Sequence, residues 1–525
     1  MARPGAVVEV DRNTPPTLFH FGEGFRLERL PLGARIVYPA DPIEPIAHSE
    51  RAIRRALHHP LEDDPLKALL RPGMKLTVAF DDLSLPLPPM AAPDVRQLVI
   101  EEVVEMAAEA GVEDVELIAA NSLHRPMTAD EIRHIVGERV FATFWPDRLR
   151  NHDAEDPQGN VAVGMTSEGE EVTLSRRAAE SDLVVYVNIT LVPMDGGHKS
   201  LATGLGSYRS VKPHHNVRTL LNSRSYMHPP DSALHHACIR QGRIIEDTVR
   251  VFHVETTLNS NAFPSAAGFL QKRETDWTTK DQAAFFAMKQ LTDLAPPALK
   301  RPLFHAMRAP YGLTSVQAGQ VDAVHERTLR MVERQMRVEV EGQTDVLTLG
   351  IPYLGPYNVN SILNPVLVVC LGLGYLFNLY RGRPVVRQGG VLIMEHPCRY
   401  EFDSVQHPSY IDFYDEVLAD TTDPVLIEER YEARFAEDPW YKELYRRSHA
   451  YHGVHPFYAL YWAAHAMAYL GDVIVVGGER AVVHRLGFRA ADSLEDAFEM
   501  AEQTVGRHPS VTHVRTPPLL LADVT

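Results

Sequence analysis

The sequence has few cysteines, no long apolar run and no cluster of basic residues. Its 525 residues include three cysteines, Cys238, Cys370 and Cys398, and none forms a CxxC pair. Neither a disulfide framework nor a cysteine zinc site is therefore predicted, and the compartment is expected to be reducing. The longest apolar run, residues 366–377, is too short for a spanning helix, which needs roughly 20 residues. We therefore expect a cytoplasmic protein with no membrane partner.

The charge balance argues against nucleic-acid partners. Lys and Arg number 52 and Asp and Glu number 69, which gives a net charge of −17. Such an acidic surface repels phosphate backbones and anionic lipid. The amino terminus shows no basic segment followed by an apolar one, so no secretory signal is expected. Hydrophobic residues at 45% and charged residues at 23% are typical of globular chains.

The pattern after residue 72 predicts a parallel sheet. Residues 76–80 form a β-branched and aromatic run that ends at an acidic pair, and residues 115–119 form a second run. Between them, apolar residues recur with helical period from Pro93 to Gly111. A strand, a helix and a strand within about 45 residues form a βαβ unit. A capping box at Thr128 predicts the next helix, and residues 183–189 predict another buried strand.

The second half of the chain shows the same alternation of strand and helix patterns. Residues 346–350 and 391–394 predict strands, with a helix between them over about residues 360–380. Residues 409–470 are rich in Tyr, Glu and Arg and predict a helical insertion. We therefore predict an α/β fold with two α/β domains, residues 1–290 and 291–525. The sheets are expected to be largely parallel, with an interdomain cleft and extra C-terminal helices.

Unusual polar residues follow several predicted strands, where open parallel sheets bind ligands. Asp81 and Asp82 with Ser84 stand at the first strand exit, where they could equally form a turn and a helix cap. His124 and Arg125 follow the second strand and precede the capped helix. A single histidine in such a place is often structural, so each segment alone leaves both interpretations open.

A glycine-rich loop follows the strand at residues 183–189. It runs from Asp195 to Ser207 and contains Lys199. Closely spaced glycines let backbone N–H groups approach a ligand, and the lysine can hold a phosphate or act as a nucleophile. The spacing is not that of a Walker A motif. His214 and His215 follow, with no adjacent carboxylate to complete a metal site.

In this order, the segments resemble the nickel-pincer nucleotide-dependent lactate racemase family. That family carries the stretches D-D-x-[ST]-R-P-x-P, T-G-x-H-R-P and G-G-x-K-S-x-x-x-G, the last followed by a histidine. The matching segments here are residues 81–88, 122–126 and 196–204, with His215 after them. The resemblance spans most of residues 70–220 and, more loosely, the second domain.

The resemblance implies a mechanism in which hydride leaves the Cα of a 2-hydroxy acid for a nickel-bearing pyridinium ring. Lys199 matches the lysine that is tethered to the cofactor, and His215 matches the nickel ligand. His124 matches one of two histidines that exchange the hydroxyl proton, so His124 and Lys199 are the predicted catalytic residues. The predicted cofactor-binding residues are Asp82, Ser84, Gly196, Gly197, Lys199, Ser200 and His215. Transient contact with cofactor biosynthesis proteins is also implied.

The chain departs from the family pattern in its first domain. The family's arginine after the [ST] position is Leu85 here, which removes a bidentate contact to a substrate carboxylate. The family's second catalytic histidine lies in an E-P-H-Y-F-A-G-F stretch, but residues 188–195 here contain no histidine. His198 and His214 are candidates to replace it.

Two further positions bear on the predicted substrate. A family Q-x-x-K pair falls near Leu363 and Val366, so those polar groups are also lost. The sequence therefore predicts a racemase or epimerase of a 2-hydroxy acid other than lactate. Two alternatives stay open: a non-catalytic homologue that binds a cofactor or nucleotide, and a different hydride or lyase chemistry on the same scaffold. The sequence leaves open whether the chain forms a homo-oligomer.

A cluster of histidines and tyrosines lies in the helical insertion. Its members are His449, His452, His455 and His465 with Tyr451, Tyr458 and Tyr461. One interpretation is packing at a domain interface. The other is a lid that supplies the missing acid/base or carboxylate-binding groups from across the cleft.

Overall fold

A computed structural model describes residues 5–525 of the chain. Its strands are β1 (Val7–Glu9), β2 (Thr17–Gly22), β3 (Gly24–Glu28), β4 (Arg35–Val37), β5 (Lys75–Asp81), β6 (Asp114–Ala120), β7 (Leu149–Asn151), β8 (Asn160–Met165), β9 (Glu171–Ser175), β10 (Leu183–Ile189), β11 (Val251–Leu258), β12 (Leu313–Gly319), β13 (Arg337–Val340), β14 (Thr344–Pro352), β15 (Tyr380–Arg381), β16 (Val386–Glu395), β17 (Asp472–Val476), β18 (Arg489–Ala491), β19 (Val511–Val514) and β20 (Leu521–Val524).

The α-helices alternate with these strands. They are α1 (Ser49–His58), α2 (Leu66–Leu69), α3 (Val95–Glu109), α4 (Ala129–Phe144), α5 (Arg176–Ala179), α6 (Gly197–Gly204), α7 (Tyr208–Val211), α8 (Val217–Leu221), α9 (Ala233–Thr248), α10 (Thr279–Leu294), α11 (Pro297–His305), α12 (Val321–Met336), α13 (Pro365–Val369), α14 (Pro408–Asp412), α15 (Leu418–Asp420), α16 (Pro424–Ile427), α17 (Ala433–Glu437), α18 (Pro439–Arg447), α19 (His455–Tyr461), α20 (Ala464–Tyr469), α21 (Arg480–Arg485) and α22 (Leu494–Val505). Short 3₁₀ turns (Pro229–Asp231, Ser265–Gln271, Glu274–Asp276) and π turns (Cys370–Leu376, Phe413–Val417, Glu428–Glu432) complete the set.

The first sheet has the order β12-β11-β10-β5-β6-β7. All neighbours are parallel except β11 and β12. The chain enters at β5, adds β6 and β7 on one side, and then crosses to β10 and β11 on the other. The direction of winding therefore reverses between β5 and β10, and the crevice at their carboxyl ends is the place where such sheets bind ligands.

Local sequence signals account for the helices of this sheet. Asp94 caps α3 by accepting a hydrogen bond from the Arg96 backbone N–H. Thr128 and Glu131 form the predicted capping box at the start of α4. The predicted strands at residues 76–80, 115–119 and 183–189 correspond to β5, β6 and β10.

The second sheet has nine strands. Its main path is β1-β4-β19-β14-β16-β17-β18, and β2 joins β14 and β3. All pairs from β4 to β18 along this path are parallel. The prediction of an α/β fold with largely parallel sheets is therefore confirmed. A three-stranded sheet β13-β20-β15 and a β8-β9 pair complete the strands within residues 5–525.

Sheet membership differs from the predicted division at residue 290. Strands β1 to β4, near the amino terminus, belong to the second sheet, and β12 belongs to the first. The buried Ile36 and Val37 explain the first difference, because β4 pairs with β19 almost 480 residues later. A pairing over that separation leaves no local pattern in the sequence.

The helical insertion lies over the loops of the first sheet. The Tyr445 hydroxyl, on α18, donates to the Ser122 carbonyl at 2.6 Å and accepts from the Ala154 N–H at 3.1 Å. The His452 N–H donates to the Leu123 carbonyl at 3.2 Å. The insertion is therefore held against the loop that carries His124.

The apolar run near residue 370 is a short buried helix. Asn364 caps α13, so the helix begins later than predicted, and it continues as a π turn through Cys370–Leu376. Across residues 5–525, every helix falls short of the length or apolarity needed to cross a membrane.

We predict that Tyr445→Phe lowers the free energy of unfolding by about 1–3 kcal/mol, because it leaves a buried carbonyl and a buried N–H without their partner. Urea denaturation followed by circular dichroism measures this change. Tyr400→Phe is the matched control, since the Tyr400 hydroxyl donates to Asp415 at the exposed surface. Its effect should stay within about 0.5 kcal/mol. Equal effects in the two variants would show that the Tyr445 contacts do not hold the insertion.

Candidate functional site

The buried carboxylate of Asp81 joins β5 to β10 at the reversal point. Its Oδ2 accepts from the Asn188 side chain at 2.7 Å and from the Ile189 N–H at 2.8 Å. The Tyr186 hydroxyl donates to its Oδ1 at 3.3 Å. Burial raises the pKa of Asp81 to about 7, although the Ile189 N–H bond and Arg96 oppose the shift. Asp81 thus has a structural role at this edge of the sheet, because its carboxylate is bound to residues of β10.

Asp82 and His124 form a hydrogen-bonded pair. His124 Nδ1 donates to Asp82 Oδ2 at 2.7 Å, and the Ser84 N–H and hydroxyl donate to Asp82 Oδ1 at 3.0 and 2.5 Å. Burial opposes ionisation of Asp82, but His124 and Ser84 outweigh it and lower its pKa. Asp82 is therefore an anion that orients the imidazole of His124.

Arg96 holds the backbone of this pair in place. Its guanidinium donates to the carbonyls of Asp81 at 2.8 Å and Asp82 at 2.5 Å, while Asp94 accepts from its other nitrogens. Arg96 is almost fully buried. A buried charge of this kind is tolerated because each guanidinium nitrogen donates to an oxygen and Asp94 balances the charge.

The glycine loop closes tightly over β11. Gly196 and Gly197 have φ of +88° and +58°, and a Cβ on Gly196 would lie 2.6 Å from Glu255 Oε1. The Gly197 N–H donates to the same oxygen at 2.6 Å, and His325 Nδ1 lies 3.1 Å from it. Burial opposes ionisation, but His325 and His253 outweigh it and lower the pKa of Glu255 to about 2. Gly196 is therefore required by close packing against the Glu255 carboxylate, and Gly197 by its positive φ and by the His325 ring, which a Cβ would meet at 2.8 Å.

Lys199 lies in the first turn of α6, after this loop. Within residues 5–525 its ammonium makes no hydrogen bond or ion pair. The nearby Asp195 is buried, which raises its pKa, while Lys199 pulls in the opposite direction. The Ser200 hydroxyl accepts from the Asn188 side chain at 3.0 Å. Lys199 is therefore an amine without a fixed partner at the reversal point.

His214 and His215 lie beside α6. The Thr203 hydroxyl, one turn after Lys199, is 3.1 Å from His214 Nε2. The Nδ1 atoms of His214 and His215 are both buried without a partner in the part of the chain described. Burial lowers the pKa of His214 to about 3 and holds that of His215 well below its usual range. Both imidazoles are therefore neutral at physiological pH, which is the form that binds metals.

A small cavity brings three histidines together. It measures about 30 Å³, enough for one or two water molecules. We call it the histidine cavity; its walls are Ser122, Leu123, His124, Thr203, Val211, His215, Tyr357, His455, Tyr458, Ala459 and Trp462. The His124 and His455 ring centroids are 5.5 Å apart, and His215 packs 5.4 Å from Trp462.

His455 reaches this cavity from the helical insertion. Its Nδ1 is hydrogen-bonded to the Tyr410 hydroxyl at 2.6 Å, and its ring packs 4.6 Å from Tyr357. Burial, followed by the charge of His124, holds the pKa of His455 well below its usual range. Its Nε2 makes no hydrogen bond to residues 5–525. His455 is therefore a neutral imidazole with one nitrogen fixed and the other free.

A second, larger cavity lies between the two sheets. It measures about 180 Å³ and is bounded by the segments after β5, β10 and β11 of the first sheet and after β14 and β19 of the second. The predicted interdomain cleft stays a prediction, and this cavity is the space between the sheets to which it would correspond. We call this space the cleft cavity.

The structure brings most of the predicted site residues to one edge. Asp82, His124 and Lys199 all follow the carboxyl ends of parallel strands, and His215 lies on the same side. Asp82 and Ser84 hydrogen-bond each other and His124, so their predicted contact with a nucleotide stays a prediction.

Other candidates lie elsewhere. His198 Nε2 is 2.8 Å from Glu246 on α9, so this side chain points away from the histidine cavity. His449 contacts the Pro126 carbonyl, and His465 contacts Tyr380. Leu85 lines neither cavity, and Val366 is buried in the core. Leu363 lines a third small space, beside Glu23 and Arg301.

Several residues of the site were not predicted from the sequence. Tyr357 and Tyr410 sit in segments with no motif, and Glu255 lies inside β11, a buried strand that the sequence patterns did not identify. Trp462 could have been found, because it ends the aromatic-rich run that contains His455.

The residues present fit a cofactor that brings most of its own metal donors. Within residues 5–525 no three His, Cys, Asp or Glu side chains are grouped to hold a metal ion. His215 offers a neutral imidazole with an unpartnered buried nitrogen, and Lys199 offers an unpaired amine. One imidazole and one amine suit a group that is tethered covalently and supplies soft sulfur donors itself.

Comparisons with known proteins agree with this geometry. Residues 28–228 match the family model for the lactate racemase N-terminal domain. The structure of the lactate racemase apoprotein from Thermoanaerobacterium thermosaccharolyticum aligns with a TM-score of 0.61 at 15% identity, covering 97% of this chain and 99% of that one. A Thermotoga maritima protein solved by a structural genomics consortium aligns with a TM-score of 0.51 at 14% identity, covering 93% and 100%. No curated protein matches the chain.

The family match covers the segments that carry Asp82, His124, Lys199 and His215, and the fold match extends over nearly the whole chain. Residues 28–228 are therefore similar to the lactate racemase N-terminal domain, and the chain as a whole shares the fold of the lactate racemase apoprotein.

Proposed function

We propose that the chain is a racemase or epimerase of a 2-hydroxy acid other than lactate, working with a nickel-pincer nucleotide. The observation that carries the proposal is the histidine cavity, where His124, His215 and His455 meet beside the helix that bears Lys199. The match of residues 28–228 to the lactate racemase N-terminal domain, with the shared fold, supports a racemase-type isomerase. Lys199 would tether the cofactor and His215 would ligate its nickel.

When bound, the cofactor would supply a hydride acceptor for the Cα–H of the substrate. The rest of the chemistry falls to the chain. His124 presents Nε2 to the cavity because its Nδ1 is bound to Asp82. A histidine held in this way can take the hydroxyl proton of the substrate and return it. The Asp82 carboxylate stabilises the imidazolium that forms.

His455 is proposed as the second acid/base residue. Racemisation requires proton exchange with both enantiomers, and the first domain lacks the second histidine of the family. His455 stands 5.5 Å from His124 between ring centroids, fixed by Tyr410. His455 of the helical insertion, in the second domain, is thus proposed to take the place of the histidine that residues 188–195 lack.

The replacement of the family's arginine by Leu85 bears on the substrate. A charged bidentate contact is worth roughly 1.5–3 kcal/mol, or about a factor of ten to a hundred or more in binding. Lactate has only a methyl group beyond its carboxylate and hydroxyl, so it has little surface to offset this loss. The same loss also favours the second candidate, a homologue that binds the cofactor without turnover.

We predict that His455→Gln, in protein loaded with cofactor, reduces the racemisation rate by about 10²–10⁴-fold, as expected for loss of an acid/base group. Nickel content should be unchanged, because His455 is not the proposed ligand. His449→Gln is the matched control, since His449 lies in the same insertion outside the cavity. Chiral chromatography of 2-hydroxy acids gives the rates. Full activity in His455→Gln would remove this residue from the mechanism.

A second prediction concerns Lys199. Protein coexpressed with cofactor synthesis enzymes should carry a covalent mass increment and about one nickel per chain, and Lys199→Ala should lose the increment. Intact-protein mass spectrometry under denaturing conditions measures it. Lys75→Ala is the control, because Lys75 is exposed on β5 at the opposite end of the sheet. An increment that persists in Lys199→Ala would place the tether elsewhere.

A third prediction concerns lactate. We expect the loaded enzyme to interconvert lactate enantiomers at least ten-fold more slowly than a larger 2-hydroxy acid, for the reason given for Leu85. A panel of 2-hydroxy acids resolved by chiral chromatography tests this. Rapid lactate racemisation would contradict the argument from Leu85. If no acid of the panel is racemised although the cofactor is bound, the result would favour the non-catalytic homologue.

A further inference from the structure

The cleft cavity is lined almost entirely by apolar side chains. Apolar wall residues include Leu191, Val192, Leu258, Phe263, Leu376 and Leu379. Among the described residues 5–525, no lysine, arginine, aspartate or glutamate contributes to the wall. An engineered apolar cavity of about 150 Å³ stays free of water and binds benzene. A space of about 180 Å³ with this lining therefore suits an apolar group of roughly six to eight carbon atoms.

The cleft cavity adjoins the histidine cavity. Tyr375 lines the cleft cavity and Tyr357 lines the histidine cavity, and their hydroxyls are hydrogen-bonded at 2.7 Å. The Tyr375 ring stacks on Trp462 with a centroid distance of 5.6 Å. The two spaces are thus separated by one layer of aromatic side chains.

The cleft cavity also touches the loops that carry the proposed chemistry. Leu87 lies three residues after Ser84 on one wall. On another, the Val192 N–H donates to Asp195, four residues before Lys199. Leu87 and Val192 therefore belong to the same loops as Ser84 and Lys199, so these loops contribute both to the cleft cavity and to the proposed site.

Five polar side chains besides tyrosines interrupt the apolar wall: His20, Asn259, Ser260, Gln335 and Thr516. Asn259, Ser260 and Gln335 are hydrogen-bonded within the protein, whereas His20 Nε2 and the Thr516 hydroxyl are buried and have no partner within residues 5–525. Burial keeps the His20 imidazole neutral by holding its pKa well below the usual range. With no charged side chain of residues 5–525 in the wall and with Asn259, Ser260 and Gln335 already hydrogen-bonded, the cavity disfavours sugar acids and dicarboxylates, which would bury unpaired charge or several hydroxyls.

We propose that the cleft cavity binds the apolar substituent of the substrate, so that the preferred 2-hydroxy acid carries a chain or ring of about six to eight carbons. This inference rests on the proposed function. The carboxylate and hydroxyl lie at the histidine cavity. The substituent enters the cleft cavity once the hydrogen-bonded Tyr357 and Tyr375 side chains, which separate the two spaces, move apart.

Titration calorimetry on the full-length, cofactor-loaded protein tests the proposal with 2-hydroxyoctanoate, octanoate, gluconate and lactate. Each buried methylene contributes about 0.8 kcal/mol, and 2-hydroxyoctanoate has five more than lactate. We expect it to bind at least 100-fold more tightly than lactate or gluconate. Equal affinities would overturn the proposal.

Substitutions in the wall of the cleft cavity test whether 2-hydroxyoctanoate binds there. Ala267 lines the cavity and is buried, so Ala267→Phe should weaken 2-hydroxyoctanoate at least ten-fold and leave lactate unchanged. Ala283→Phe, at an exposed position of α10, is the matched control. Leu379→Ala enlarges the cavity and should shift the preference toward 2-hydroxydecanoate. This variant keeps the test decisive if Ala267→Phe does not fold, and unaltered chain-length preference in Leu379→Ala would overturn the proposal.

The outcomes separate this inference from the proposed function. Tight binding of 2-hydroxyoctanoate that Ala267→Phe abolishes, without racemisation, would support the cavity and contradict the proposed activity. Racemisation of lactate and 2-hydroxyoctanoate with equal kcat/KM would support the activity and overturn the cavity proposal. Octanoate that binds tightly without competing with 2-hydroxyoctanoate would also overturn it, since the cavity would then serve another ligand.

Discussion

The site depends on the hydrogen bonds of two adjacent carboxylates at the end of β5. Asp81 accepts from the backbone and side chains of β10, and Asp82 accepts from His124 beyond β6. Three neighbouring strands are thus tied together where the winding of the sheet reverses. Arg96 completes the arrangement by binding the carbonyls of both aspartates. Because these groups are buried, losing one partner would leave a polar atom unsatisfied, which makes the geometry rigid.

The second constraint is that the site needs both halves of the chain. The first sheet supplies His124, Lys199 and His215, but the histidine cavity is closed by Tyr357 and His455 from beyond residue 350. The insertion is fixed to the first domain through backbone groups of the loop that carries His124 and through side-chain pairs such as His452–Glu155 and Tyr208–Glu432. The position of His455 in the cavity therefore depends on contacts that join the two halves of the chain.

The sequence allowed much of the first domain to be predicted. The βαβ pattern, the Thr128 capping box and the order of the motifs identify the strand ends where Asp82, His124 and Lys199 lie. The rest depends on pairings that no local pattern encodes. The β4–β19 pair joins residues near 36 and 513, and the Glu255 contact that requires Gly197 spans 58 residues. His455 was recognised only as one of several histidines, because its selection depends on which helix face meets the first domain.

The protonation state of each group in the site depends on its burial and its hydrogen-bond partners rather than on its residue type. Asp81 and Asp82 are neighbours in sequence and equally buried, yet burial raises the pKa of Asp81 while His124 and Ser84 lower that of Asp82. His215 and His455 are kept neutral by burial, and both face the same space as His124. The cavity thus combines one imidazole hydrogen-bonded to a carboxylate with two that are kept neutral by burial. These different environments for like groups fit the distinct roles proposed for them in proton transfer and metal binding, and the fold produces them at the crevice between β5 and β10.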